Sequence, residues 1–430
     1  MTTSDGRPGG RQVISWALYD WANSAFATTV LAGFFPLFFK KYWSAGSDVT
    51  VSTFQLGVAN ATASLLVAVL APVLGAIADR SGARKRYLIL FAGMGIVMTG
   101  CLALVAEGQW PIAVGIYLFA LVGFSGANVF YDALLLDAAP HGRIDRVSAL
   151  GFGLGYLGGG VLFSFNVALT LWPETFGLAD ASAAVKVSFV SVAIWWALFS
   201  VPLMLFFREV PLSEPVSGWA AVRAGFEQLA GTFRAIRHLR VVLVFLIAYW
   251  LYIDGVHTVI RMAIDYGLAI GLEANDLIVA LLLTQFIGFP AAIVFGRLGE
   301  RAGAKGAILL GLCVYVFACV WGYYMEESWE FYVLAGVIGL VQGGVQALSR
   351  GLYARLIPAN KTGEFFGFYN MLGKFAAILG PLIMGVVAVA TGDPRLSILA
   401  IIVLFVAGGG LLLLVNEREG VEHAHALARG

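Results

Sequence analysis

The chain has 430 residues, 60% of them hydrophobic and only 12% charged, with a formal net charge of +1 at pH 7. Soluble domains carry roughly 45–50% apolar and about 25% charged residues, so this chain has too little charge to cover a water-soluble protein of its size. The near-zero balance gives no basis for a nucleic-acid partner. Cys101, Cys313 and Cys319 all lie in apolar runs, which reads as packing rather than a disulfide frame. No Cys/His cluster has metal-ligand spacing, so neither metal nor cofactor is expected.

The first dozen residues are polar and no cleavage site follows the first apolar run, so that run reads as a retained helix. A membrane-spanning helix needs about 20 mostly apolar residues. Twelve runs qualify: 13–39, 54–78, 87–106, 111–136, 147–168 and 187–207, then 240–263, 276–297, 306–325, 330–350, 364–390 and 396–415. The predicted fold is therefore an all-α membrane protein. A short N-terminus (1–12) leads into a six-helix bundle over 13–207, a second bundle covers 240–415, and a short tail (416–430) follows. Alternate loops hold 21 of the 27 Lys and Arg residues, and the opposite loops hold Lys40, Lys41, Lys186 and Arg395. The positive-inside rule then places both termini in the cytoplasm, as an even number of spans requires. Between the bundles, segment 208–239 opens with Pro211 and Pro215. Trp219, Val222, Phe226, Leu229, Phe233 and Ile236 then recur every three or four residues, with Arg223, Arg234 and Arg237 among them. This pattern predicts an amphipathic linker helix on the inner leaflet.

The two halves repeat. Gly75-Ala-Ile-Ala-Asp79-Arg80-Ser-Gly82-Ala-Arg84 lies between the second and third runs, and Gly296-Arg-Leu-Gly-Glu300-Arg301-Ala-Gly303-Ala-Lys305 lies between the eighth and ninth. Runs four and ten also match at an offset of 218, which puts Asp132 and Asp137 opposite Arg350 and Arg355. Parallel six-helix repeats build a large class of secondary transporters, with the substrate site at the repeat interface near the bilayer midplane.

The doubled turn resembles the loop signature of the major facilitator superfamily, which joins helices two and three and, less strictly, eight and nine. Ala83 and Ala304 depart from that signature, which usually has a basic residue there. Trp16-Ala-Leu-Tyr19-Asp20-Trp21-Ala-Asn23-Ser24-Ala25-Phe26 is similar to the opening helix of the vacuole effluxer family, a branch that includes amino-acid exporters. That resemblance implies the major facilitator fold and amino-acid efflux, with no enzymatic chemistry. Within it, Gly75, Asp79, Arg80, Gly82, Arg84, Asp132, Asp137, Glu300, Arg301, Arg350, Arg355 and Glu364 read as a cytoplasmic gate network away from substrate. In such a network the glycines allow close helix approach, the acid meets a helix N-terminus across the half interface, and the bases pair with acids on helix four.

Ionisable groups inside a bilayer are costly and mark function by default. Asp20 and Asn23 share one helix face, and Asp254 and His257 share another. Lys374 lies ten residues into the eleventh run, one turn after Asn370, while Gln285, Gln342 and Gln346 add amides near mid-depth. Together they predict a polar cavity between the halves that takes the substrate and, through Asp20, Asp254 and His257, a coupling proton. Tyr19 and Tyr252 are candidate cavity aromatics, with helix packing the alternative. Arg261 is expected to pair with Asp265 at the outer gate. Static pairing of Asp254 with Lys374 is the competing structural reading. Gly153-Leu-Gly155-Tyr-Leu-Gly158 fits a dinucleotide fingerprint but lies inside a membrane run with no strand before it, so it reads as a helix-packing surface.

The sequence thus predicts a monomeric secondary transporter in the cell membrane, moving a small polar solute, foremost an amino acid, by alternating access, through proton coupling or down its gradient. Its partners are that solute, protons and the lipid bilayer. The alternatives are another cargo (lipid-like, sugar or peptidoglycan-derived) or a membrane-embedded lipid-modifying enzyme.

Overall fold

A computed structural model describes residues 9–44, 49–139, 142–209, 239–376 and 379–429, together with 220, 223 and 227. Nearly all of the linker helix expected over 208–239 lies outside the described residues, as do the side chains of Arg261, Asp265 and Lys374.

The twelve apolar runs correspond one to one to helices. In the first half they are α1 (Gly10–Phe38), α2 (Val49–Ser81), α3 (Arg84–Cys101), α4 (Trp110–Ala133), α5 (Ile144–Leu171) and α6 (Ala181–Phe206). The second half holds α7 (Arg240–Ala269), α8 (Ala274–Ala302), α9 (Ala304–Tyr324) and α10 (Ser328–Leu356). It closes with α11, in two segments, Thr362–Phe375 and Leu379–Thr391, and α12 (Arg395–Leu413). A further helix, α13 (Glu417–Arg429), follows in the short tail. Its buried Ala424 and the close approach of Gly420 to Leu356 and Val241 dock it on the second half.

Large apolar side chains such as Leu90, Phe119, Leu198, Val294, Phe317 and Val403 lie on the outside, whereas Asp132, Asp254, Arg350 and Glu364 are buried. That inversion of the soluble pattern suits a hydrocarbon solvent, where polar groups must find partners inside the bundle. Charged and capped ends set the helix limits. The Asp180 carboxylate accepts the Ala183 N–H at 2.7 Å at the start of α6, and Glu327 and Glu330 form a capping box at the start of α10. Gly82 (φ 61°) and Gly303 (φ 86°) turn the chain between α2 and α3 and between α8 and α9, at backbone angles that L side chains rarely adopt.

The halves meet along α2 against α11 and along α5 against α8 and α10. Glycines bring the backbones together. A Cβ at Gly75 would overlap the Gly363 carbonyl, and one at Gly367 would lie 2.6 Å from the Ala71 carbonyl oxygen. The glycine run of α5 presents two stripes. Gly155, Gly158 and Gly159 lie against α1, and Gly153 and Gly160 lie against α8, consistent with a helix-packing surface.

Candidate functional site

The end of the bundle that carries the charged turns is closed by contacts between the halves. Asp79, at the end of α2, is buried, and its two carboxylate oxygens accept the N–H groups of Gly363 and Glu364 at 2.9 Å each. These are free donors of the first turn of α11, where the helix dipole favours an anion. Arg84 Nε lies 3.1 Å from Asp79, and its Nη1 donates to Asp137 at 3.3 Å. Behind it, Glu209 accepts the N–H groups of Arg84 and Lys85 at 3.0 and 3.2 Å and caps the start of α3. Burial raises the Glu209 carboxyl above its ordinary range, against the pull of those donors.

The pseudo-twofold shows in a detail the sequence did not suggest. Lys85 Nζ donates to the carbonyls of Met204 and Phe207 at the end of α6, at 2.8 and 2.7 Å. Lys305 Nζ does the same to Leu413 and Val415 at the end of α12, at 2.6 and 3.0 Å. Each lysine, the second residue of its helix, neutralises the negative end of the last helix of its own half.

The second turn departs from the first. Glu300 and Arg301, expected in the gate network, are exposed, as is Arg80, and none of the three forms an ion pair among the described residues. The reason is local: in the second interface α5 supplies its own acid. Asp145 sits in the first turn of α5 and accepts from Arg355 Nη1 at 2.6 Å, while Arg355 Nη2 reaches Glu417 of α13 at 2.9 Å. Gly296 and Gly299 press against this end of α5.

Beyond the seal lies a cavity of about 380 Å³ with walls from both halves. Asp20 and Asn23 of α1, Asn128 and Asp132 of α4 and Tyr156 of α5 face His257, Gln285, Gln342, Gln346, Arg350 and Asn370 of the second half. Here α1 continues from its α-helical part into a π-helical stretch, Phe26–Phe34, a form that often marks functional sites and that lines the cavity through Ala27 and Thr28. Asn23 donates to Asn128 at 2.6 Å, Asn370 to Asp132 at 3.0 Å, Gln346 to Tyr156 at 3.3 Å and Tyr131 to Asp20 at 3.1 Å.

Arg350 forms the floor. Its Nη1 donates to Asp132 at 3.1 Å, its Nη2 lies 3.7 Å from Asp20, and its Nε and Nη2 donate to the Ser148 hydroxyl and carbonyl at 2.9 Å each. The guanidinium also lies over the rings of Phe152 (4.3 Å to the centroid) and Trp16 (5.1 Å). Asp132 and Arg350, expected in a gate network remote from the solute, therefore line the cavity as well as seal it. Arg350 sits well inside α10, which runs on to Leu356.

Asp254 is placed elsewhere. It is fully buried and does not line the cavity; its oxygens accept the N–H groups of Leu379 and Gly380 at 3.1 and 2.8 Å, and the Thr258 hydroxyl at 3.3 Å. It caps the second segment of α11. Tyr19 and Tyr252 also lie off the cavity lining. Tyr19 packs against Tyr131 (5.2 Å between centroids), and Tyr252 bonds Ser349 at 2.7 Å. Asn128, one turn before Asp132, is a lining residue that i, i+4 spacing would have found. Ser148 carries no signal in the sequence.

The profile of the family described as "Vacuole effluxer Atg22 like" matches residues 42–425. The chain belongs to that family. It is 39% identical over 416 residues to the uncharacterized MFS-type transporter YxiO of Bacillus subtilis (strain 168), covering 96% of both chains. It is also 25% identical over 313 residues to autophagy-related protein 22 of Yarrowia lipolytica, covering 66% of this chain and 52% of that one. The chain thus spans about half the length of this fungal relative. Among solved structures, the human organic anion transporter MFSD10 superposes with a TM-score of 0.73 at 15% identity, covering 94% of this chain and 99% of that one. The proton:xylose symporter XylE does so with a TM-score of 0.70 at 14% identity, covering 97% of both. The fold is the major facilitator fold, and this Atg22-like family member is a transporter of that type rather than an enzyme.

Proposed function

We propose that this transporter moves a small polar solute, foremost an amino acid, out of the cytoplasm by alternating access, coupled to protons. It acts as a monomer in the cell membrane, with both termini and the charged turns on the cytoplasmic side and the 208–239 segment as a linker at the inner leaflet. The observation that carries this reading is the cavity shared by both halves, where Asp20, Asp132 and Arg350 meet a wall of amides, closed at the charged-turn end. An amino acid offers an ammonium to the Asp20 and Asp132 carboxylates and a carboxylate to the guanidinium and amides. Proton coupling falls on Asp20. Of the two acids beside Arg350, its contact is the longer, 3.7 Å against 3.1 Å for Asp132, so protonating it disturbs the seal less.

Alternating access requires the Asp79–α11, Arg350–Asp132 and Arg355–Asp145 contacts to part together when the cavity opens to the cytoplasm. The test is amino-acid flux in proteoliposomes with an imposed pH gradient. Wild-type flux should follow the gradient, and Asp20→Asn should exchange substrate without responding to it. Wild-type flux indifferent to the gradient would remove the proton, and an absence of flux for every amino acid would remove the cargo.

A further inference from the structure

A second chamber opens inside the second half. It measures about 90 Å³ and lies among α7–α12, with Met262, Ala318, Ala335 and Met384 in its walls. Its hydroxyl groups are satisfied by their own bundle. The Thr258 hydroxyl donates to Asp254, that of Thr284 to the carbonyls of Ala280 and Ala335, and that of Tyr266 to Gly322 at 2.7 Å. What remains is an apolar surface. The chamber is not isolated, because Ile260, Leu281, Gln285 and Gln342 line both it and the polar cavity between the halves. At this junction the amide of Gln285 faces the shared space and makes no side-chain hydrogen bond among the described residues. An amide open to a cavity can donate to or accept from a solute that enters it.

We propose that this chamber is a subsite for the apolar end of the transported solute. The head of that solute stays in the polar cavity against Asp20 and Arg350, Gln285 bonds its middle, and a compact branched group fills the chamber. The volume is about three water shares of about 30 Å³ each, room for roughly three or four carbons. The chamber therefore sets cargo size, and the residues that select it are Ala318, Ala335 and Met384, away from the charged floor. This inference rests on the transport reading but not on the chemistry of the head.

The test uses the purified full-length protein in nanodiscs and two probe series with matched tails: glycine, alanine, valine and leucine, and methylamine through isopentylamine. In wild type, affinity should rise about fourfold per added carbon until the chamber is full, the factor that about 0.8 kcal/mol per methylene represents. Ala335→Leu should end the rise at a shorter tail, and Met384→Ala should extend it by one or two carbons; the two shifts are opposite in sign, so loss of folding in one variant leaves the other to decide. A tail profile absent in wild type, or identical in wild type and both variants, overturns the chamber, whether it is empty or filled by a lipid chain. A tail profile confined to the amines keeps the chamber and overturns the amino-acid cargo.

Discussion

Gly363, where α11 begins, is a point of the seal with no room for a single added carbon. A Cβ there would lie 2.7 Å from the Gly75 carbonyl oxygen and 2.8 Å from Asp79 Oδ1. Ordinary contact starts at 3.4 Å, so α2 and α11 would have to part by about 0.7 Å. Neither neighbour can yield by rotation, since one is backbone and the other is held by two N–H donors at 2.9 Å. Overpacking of this kind costs about 1–3 kcal/mol. Stretching charge-assisted bonds beyond 3.5 Å forfeits about 1–2 kcal/mol more. Gly363→Ala should thus disfavour the sealed state by about 2–5 kcal/mol, a factor of about 30–5,000, while the state with α2 and α11 apart is untouched. Spin labels at Arg80 and Arg301, both exposed and on opposite halves, read the separation in a background free of Cys101, Cys313 and Cys319. The expected result is a long-distance population that grows at the expense of the short one. Gly385→Ala, where an added Cβ meets nothing within 4 Å, is the control. Matching distance distributions for the two variants would refute the claim that backbone contact sets this balance.

Three further outcomes follow from other contacts. Arg350→Met leaves Asp132 buried without its guanidinium and should cost about 3–5 kcal/mol, read as a fall in melting temperature, with most of it recovered in Arg350→Met/Asp132→Leu; a double variant no more stable than the single would contradict the pairing. Asp254→Asn should lower stability by about 1–2 kcal/mol through the weakened cap on α11 and leave the pH-gradient response of transport intact; a lost response with unchanged melting would return Asp254 to the transport path. Lys85→Met and Lys305→Met should each destabilise by about 1 kcal/mol and add in the double variant, because the sites lie in different halves; strong coupling between them in melting experiments would argue against two separate helix-end contacts.

The twelve spans were legible because a bilayer leaves few options: long apolar stretches, charges at one set of ends, and glycine where the chain turns sharply. The doubled turn was legible for the same reason. Side-chain direction was not. Asp20 and Asn23 share a face and both reach the cavity, whereas Tyr19, one residue from Asp20, points about 100° away into packing with Tyr131. Asp254 was misplaced because α11 was read as one continuous helix. Its second segment starts at Leu379, inside an apolar run that hides the break, and the only trace is Gly380-Pro381, since proline is tolerated in a first turn and disfavoured in a helix interior. Glu300 looked equivalent to Asp79 by motif. The equivalence failed because Asp145 already holds the start of α5, so a second acid there would meet a like charge.

The symmetry itself explains why Asp132 and Arg350 meet. They occupy the same place in the two repeats, 218 residues apart, and lie 3.1 Å from each other. Residues related by a pseudo-twofold axis are equally far from it, so any such pair close to the axis must face its own counterpart. An identical ionisable residue in both halves would then put two like charges together at the point where the bundles close. Opposite charges turn that unavoidable contact into a bond across the axis, and Asp20 lies beside it as a third charge. The acids outnumber the guanidinium in this cluster, so a cation or proton arriving from the cavity binds where it competes with Arg350 for the same carboxylates. On the proposed transport reading, that competition would link occupancy of the cavity to release of the seal without any contact between substrate and the charged turns.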